Sequence, residues 1–118
     1  MATTKQPLKL IEESWGDRLH RAYRMARETH GLTYRSVAGK VSQLMPISDS
    51  TITRWELLDE PPKQQRTLAA IYYVLVAYGF EPEDFGVTIG MTGLDEKAVK
   101  SARRLLVPSS RCYAESAA

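Results

Sequence analysis

Residues 48–56, SDSTITRWE, place four hydroxyl side chains and one arginine within seven positions. Hydroxyl groups both donate and accept hydrogen bonds, and a guanidinium donates several in a fixed fork. These groups can bind polar or anionic surfaces in a defined geometry. The alternative is that Ser48 and Ser50 only cap a helix and that Arg54 and Glu56 are solvated surface charges.

Residues for other kinds of chemistry are sparse. His20 and His30 lie ten positions apart, without a cluster of acids or cysteines beside them, so a metal site is not expected. Cys112 is the single cysteine, which excludes an internal disulfide, and no histidine lies near it in the sequence. The chain has no glycine-rich phosphate loop and no catalytic-triad order. We therefore expect no enzyme activity, no metal and no cofactor.

Length and composition indicate one domain of a globular protein. The chain has 118 residues, of which 43% are hydrophobic and 25% are charged. Its longest apolar run, residues 68–80, is too short to span a bilayer and is typical of a buried helix. Residues 1–14 lack an apolar stretch of signal-peptide length. We expect a cytoplasmic protein with no membrane partner.

Charge is unevenly distributed along the chain. Residues 1–58 carry nine Lys or Arg against six Asp or Glu, whereas residues 59–118 carry seven against eight. The excess positive charge therefore lies in the half that contains SDSTITRWE. This asymmetry is a weak indication of an anionic partner.

Helical periodicity and capping residues predict an all-α fold of five or six short helices. Ser14, Thr33 and Ser48 are expected N-caps, and Gly31 is expected to end the first helix. No stretch has the alternation of a strand. The predicted helices cover residues 15–29, 34–44, 49–57, 63–78 and a last segment from Thr92 or Asp95 to 106, with a helical turn at 82–85.

The predicted third helix has two different faces. Ile52 and Trp55 are three positions apart and, with Glu56, should form the inward edge of the helix. Ser50, Thr53 and Arg54 are left to point outward. This division would fix the helix on one side and expose hydrogen-bonding groups on the other.

Two stretches resemble a known DNA-binding family. LTYRSVAGKV, residues 32–41, resembles the second helix of the lambda-repressor-like helix-turn-helix family, also called the Cro or XRE family, and STITRWE resembles its third helix. The family favours a small residue in the second helix, here Ala38, and an apolar residue in the third, here Ile52, because closely crossing helices need both. WELLDEPP and RTLAAIYYVLVAYGFEPEDF are similar to the next loop and the fourth and fifth helices, so the resemblance covers about residues 15–87.

The connection between the second and third helices departs from the family pattern. Ser42 stands where the family usually has glycine, and the connection is about four residues longer. Residues 43–47 are therefore expected to form a loop with its own contacts, to DNA or to a partner.

The resemblance implies that the third helix enters the major groove of double-stranded DNA. Arginine can donate two bonds to guanine, serine and threonine can bond to base edges, and an aspartate can accept from cytosine. The positions that match the family's base-facing residues are Asp49, Ser50, Thr53 and Arg54. We expect contacts to the DNA backbone from Tyr34, Arg35, Lys40, Ser48 and Thr51.

The predicted organisation has four parts. It comprises an N-terminal arm (1–13), a lambda-repressor-like helix-turn-helix domain (14–87), a C-terminal helix (88–107) and a disordered tail (108–118). The C-terminal helix either closes the core or forms a homodimer, which a palindromic operator would match. Its apolar stripe consists of Leu94, Ala98, Val99, Ala102, Leu105 and Leu106, and the homodimer is expected to form through Leu94, Ala98, Ala102 and Leu105.

The resemblance implies a transcriptional repressor that occupies an operator on the nucleoid of a bacterial or phage-infected cell. The ending AESAA resembles tails that bacterial energy-dependent proteases take up, which would make the protein short-lived. A short-lived small repressor resembles the immunity repressors of temperate phages whose hosts are actinobacteria. The same contacts would also serve a Cro-like regulator or an activator. An alternative of another class is a protein-interaction module, such as an antitoxin or an adaptor.

Overall fold

The computed structural model describes residues 13–108, in which every regular element is helical. The prediction of an all-α chain is confirmed over this range. Residues 1–12 of the predicted arm and 109–118 of the predicted tail lie outside the described residues. The helices are α1 (Trp15–His30), α2 (Tyr34–Val41), α3 (Asp49–Trp55), α4 (Gln65–Tyr78), α5 (Ile89–Thr92) and α6 (Glu96–Leu106), with a 3₁₀ turn at Pro82–Phe85.

Helix α4 is the centre of the core. Every residue from Leu68 to Tyr78 is buried, as expected for a helix that is apolar on all sides. It contacts α1, α2, α5 and α6. Within residues 13–108, no helix combines the length and the apolar character that a membrane crossing requires.

The helix starts follow the capping residues in the sequence. Ser14 accepts from the Asp17 N–H at 3.0 Å, and Asp17 accepts in return from the Ser14 N–H. Thr33 and Ser36 form the same reciprocal pair at the start of α2. Because these bonds satisfy N–H groups that a helix leaves free, local sequence is enough to place both starts.

Helices α2 and α3 end earlier than predicted. Helix α2 stops at Val41, before the predicted limit of about Leu44, because the N–H groups of Gln43 and Leu44 bond three residues back, to the Lys40 and Val41 carbonyls. Helix α3 stops at Trp55 rather than Leu57. There the last N–H groups bond three residues back, which tightens the chain into a turn.

Helix α5 was not predicted, because its glycine-rich surroundings indicate a break. It is a single turn that packs on α4. The hydroxyl of Thr92 is part of this turn and donates to the Ile89 carbonyl at 2.7 Å. Asp95, one of the two predicted caps, then starts α6 by accepting from the Ala98 N–H at 2.8 Å.

Helix α6 closes the core over α4 and α2. Ala102 is fully buried within its own chain together with Val99 and Leu106. The predicted dimer stripe is therefore wrong for Ala102, which a second chain cannot reach. Of the other stripe residues, Leu94 and Ala98 are half-buried and Leu105 is exposed. Pro108, placed by prediction in the tail, is buried against Gly79.

The first turn of α1 lies against the chain that leaves α3. The Trp15 N–H donates to the Asp59 carbonyl at 3.0 Å, and the Gly16 N–H donates to the Leu58 carbonyl at 2.8 Å. A β-carbon at Gly16 would overlap the Glu56 carbonyl oxygen and lie 2.6 Å from that of Leu58. Glycine is required here for close approach, because these neighbours are backbone atoms that cannot turn aside.

We predict that Gly16→Ala destabilises the fold. The new methyl group must push α1 away from the end of α3, and such overpacking costs about 1–3 kcal/mol. Gly39→Ala is the matched control: it lies inside α2 with open space around it, so better helix propensity should stabilise by up to about 1 kcal/mol. Urea unfolding followed by tryptophan fluorescence measures both. Equal midpoints for Gly16→Ala and wild type would contradict the close approach.

Candidate nucleic-acid interface

Helix α3 is anchored on one face and exposed on the other. Ile52 and Trp55 are buried, as the sequence predicts. The indole N–H of Trp15 on α1, in the same core cluster, donates to the Phe85 carbonyl at 2.9 Å. The four residues predicted to contact bases share the opposite, exposed face: Asp49, Ser50, Thr53 and Arg54.

The polar groups at the start of α3 bond among themselves. Ser48 accepts from the Thr51 N–H at 3.3 Å, and Asp49 accepts from the Ser50 N–H at 2.8 Å. Thr53 donates to the Ser50 carbonyl at 3.0 Å. These bonds hold the side chains in place while leaving each hydroxyl further hydrogen-bonding capacity. Ser48 is therefore a cap, and the capping interpretation holds for it.

Arg54 is the cation on this exposed face. No ion pair or hydrogen bond holds its guanidinium within residues 13–108. By contrast, Arg18 and Arg21 on α1 are used inside the protein: Arg18 donates to the Asp84 carbonyl and Arg21 pairs with Glu13 at 2.7 Å. The sequence places Glu13 in the N-terminal arm, whereas the structure pairs its carboxylate with Arg21 of α1.

Two grooves flank α3. The first, about 600 Å³, separates Ser50, Thr53 and Arg54 from Asp17 and His20 on α1. The second, about 300 Å³, lies towards α2 and is lined by residues that include Arg35, Gly39, Ser48 and Asp49. Helix α3 is thus a ridge between two depressions. A ridge of this kind can enter a groove about 12 Å wide, such as the major groove of B-DNA.

The residues predicted to contact the DNA backbone are in different environments. Arg35 and Ser48 are exposed, whereas Lys40 and Thr51 are half-buried. Tyr34 is half-buried, and its hydroxyl donates to both carboxylate oxygens of Glu56, at 2.8 and 2.9 Å. This hydroxyl is already used inside the protein, so Tyr34 would meet a phosphate through its backbone N–H or ring edge.

Glu56 joins three helices; the sequence places it on the inward edge of α3, but these contacts were not predicted. Its side chain is only 9% exposed and follows directly on α3. Besides Tyr34 of α2, it contacts the Nδ1 atom of His20 on α1 at 3.0 Å. The alternative of a solvated charge is therefore wrong for Glu56. Its position four residues after Ile52, on the inward edge of the helix, was the available signal.

Tyr34, which donates to this carboxylate, belongs to a group of packed aromatic rings. The rings of Tyr23 and Tyr34 stack with centroids 3.7 Å apart, and Tyr78 lies 6.0 Å from Tyr23. Burial, followed by the hydrogen bond to Glu56, raises the pKa of Tyr34 above its ordinary value. Burial likewise raises the pKa of Tyr78, with Glu56 adding to it. Both phenols therefore stay neutral, and the Tyr34 hydroxyl remains a donor.

The long connection between α2 and α3 is closed by a side chain. The Ser42 hydroxyl donates to the Ile47 carbonyl at 3.0 Å. The backbone of Ser42 is right-handed, with φ of −64°, so this position does not need the glycine usual in the family. Leu44, Met45 and Ile47 pack against the core. The loop therefore extends the core and presents Gln43 and Pro46 to its surroundings.

Within residues 13–108 no group of three or more His, Cys, Asp or Glu side chains is arranged to hold a metal ion. His20 contacts Glu56, and the His30 ring lies beside Gly79. Cys112 is outside the described residues.

We predict different effects on stability for the same substitution, tyrosine to phenylalanine, at Tyr34 and at Tyr78. Tyr34→Phe removes a donor from the shielded Glu56 carboxylate and should lower the free energy of unfolding by about 1.5–3 kcal/mol. Tyr78→Phe removes a buried hydroxyl that has no partner among residues 13–108, so it should be neutral or stabilising. Thermal unfolding followed by circular dichroism compares them. A larger loss for Tyr78→Phe would contradict this assignment of the hydrogen bonds.

No protein-family model, curated protein or solved structure matches this chain. The resemblance to the lambda-repressor-like family therefore stays a prediction that rests on the quoted stretches.

Proposed function

We propose that this chain is a sequence-specific double-stranded DNA-binding protein, acting as a transcriptional repressor. In this proposal α2 and α3 form a helix-turn-helix, and α3 enters the major groove. Asp49, Ser50, Thr53 and Arg54 meet base edges. The bound protein would block an operator by occupancy, which needs no cofactor.

The observation that carries the proposal is the division of α3 into a fixed face and a free face. Burial of Ile52 and Trp55, with the contacts of Glu56, holds the helix in one orientation. Its exposed face offers hydroxyls, a carboxylate and the guanidinium of Arg54, which forms no ion pair within residues 13–108. Base discrimination needs donors and acceptors at fixed positions, and a rigid helix supplies them at little entropic cost.

Electrostatics supports the division of roles. Arg35 lines the groove beside the start of α3 and would follow a phosphate strand there. Such contacts give affinity and register without reading sequence. The carboxylate of Asp49 lines the same groove, and phosphates would repel it. It therefore acts as a negative selector, favouring a cytosine amino group at its position.

Selection of bound duplexes from a randomised pool at near-physiological salt tests the proposal. We expect enrichment of one short sequence. An enriched inverted repeat would indicate a two-fold dimer, and a single half-site would indicate a monomer. A folded protein that enriches no sequence would overturn the proposal.

We predict that Arg54→Ala relaxes discrimination at one base position, at a cost of about 1–3 kcal/mol for the preferred sequence. The cause is the loss of a two-bond contact to guanine. Arg24→Ala removes the same charge from an exposed position on α1 and should leave base preference unchanged. Competition binding with single-base variants of the selected duplex measures both. If Arg54→Ala weakened every duplex equally, Arg54 would be a phosphate contact.

A protein-interaction module is the second candidate, and Leu57 is the observation that favours it. This leucine is 82% exposed at the end of α3 and lines the larger groove. A single exposed leucine is ordinary on a protein surface, but at the end of α3 it would let a partner, as in an antitoxin or adaptor, pack against this helix. Salt separates the candidates, because binding to DNA weakens steeply as salt rises and an apolar interface does not.

We propose further that residues 109–118, which lie outside the described residues, carry a degradation signal like that of a phage immunity repressor. It is tested by appending residues 109–118 to a stable reporter in an actinobacterial host. A shortened reporter half-life would support it, and an unchanged half-life would contradict it.

A further inference from the structure

Helix α6 has one face in the core and a positively charged face opposite. Val99, Ala102 and Leu106 are buried. Lys97, Lys100 and Arg104 are all exposed. Their spacing of three and then four residues places them in one line, about 10 Å long, on the outward side of the helix. These three residues are called the basic stripe below.

The basic stripe is not neutralised by the described part of the chain. The ion pairs in residues 13–108 involve His20, Arg21 and Arg103 as the cations. Arg103, on the flank of α6, is bound by Glu81 at 3.0 Å and donates to the Tyr72 hydroxyl at 3.3 Å. One cation of α6 is therefore structural, whereas the stripe is available to a partner.

The acids nearest in sequence do not relieve this charge. Asp95 is used as the cap of α6, and no ion pair within residues 13–108 joins Glu96 to Lys100. Like charges three or four positions apart on a helix repel and lower its stability. An anionic partner along the stripe would remove this repulsion, so the arrangement fits a polyanion.

We propose that the basic stripe binds the phosphate backbone of the same duplex that α3 reads, which rests on the function proposed above. Helix α6 packs on α2, the helix that carries the candidate backbone contacts Tyr34, Arg35 and Lys40. The stripe and these candidate contacts are therefore on neighbouring helices. DNA supplies regularly spaced phosphates that one line of cations can follow.

Two other occupants fit α6 less well. In a two-fold dimer through the outward face, the stripe of one chain would face the stripe of the other, and like charges would meet. An anionic membrane binds amphipathic helices whose apolar face is free to enter the lipid. The apolar face of α6 is instead covered by its own core.

We predict that the stripe steepens the salt dependence of DNA binding. Each phosphate contact contributes about 0.9 to the slope of log K against log salt. The triple variant Lys97→Gln, Lys100→Gln and Arg104→Gln should therefore lower the slope by about 2–3 and weaken binding on the order of 100-fold at near-physiological salt. Base preference should be unchanged, since phosphate contacts carry no sequence information.

The measurement is fluorescence anisotropy of the whole chain on the selected duplex over a salt series. Three exposed cations elsewhere, changed by Arg24→Gln, Lys63→Gln and Arg66→Gln, give a control of equal charge that should keep the slope. Exchange within the stripe (Lys97→Arg, Lys100→Arg, Arg104→Lys) should also keep it. Circular dichroism verifies that each variant is folded.

The outcomes separate this inference from the proposed function. A wild-type protein that selects a sequence, with a slope that the Gln stripe variant does not change, overturns the inference and leaves the function intact. A wild-type protein that selects no sequence overturns both. A third outcome is that the wild-type protein sediments with phosphatidylserine vesicles and the Gln stripe variant does not, while the two bind DNA equally. This outcome would assign the stripe to a membrane and also overturn the inference.

Discussion

The position of α3 depends on a backbone contact between the first turn of α1 and the chain beyond α3. Helix starts leave N–H groups without partners, and here two of them are satisfied by the Leu58 and Asp59 carbonyls. Only glycine at position 16 allows this approach. The end of α3 is thereby fixed through main-chain atoms, before any side chain contributes. Ile52 and Trp55 then need only to fill the space that this contact defines.

Glu56 fixes the orientation of α3 about its own axis. A buried carboxylate is costly unless donors surround it, and the Tyr34 hydroxyl and His20 supply them from two other helices. Turning α3 would separate the carboxylate from both. The polar cluster therefore acts against rotation, whereas the apolar contacts act against separation. Residues on one side of the helix are used for orientation, and those on the other remain free to bind.

The helices could be predicted because their signals lie within a few residues of one another. Contacts between residues far apart in the sequence could not be predicted in this way. The caps Ser14, Thr33 and Ser48 and the inward pair of α3 depend on neighbours within four residues, which a sequence displays. The Glu56 contacts join residues 22 and 36 positions apart, so residue types alone leave Glu56 looking like a surface charge. Helix α5 was missed because glycines imply a break while packing on α4 decides the outcome. The face of α3 was predictable; what holds it was not.

Closure of the α2–α3 connection by Ser42 bears on how this architecture can vary. A glycine turn fixes the number of residues between two helices, because the reversal must occur at one left-handed position. A hydroxyl that bridges five residues to Ile47 sets only the two ends of the segment. The number of residues between these ends can then vary, and apolar residues there, such as Leu44 and Met45, extend the core. Because the bridge does not depend on the length of the segment that it closes, this connection is a suitable site for grafting in protein design.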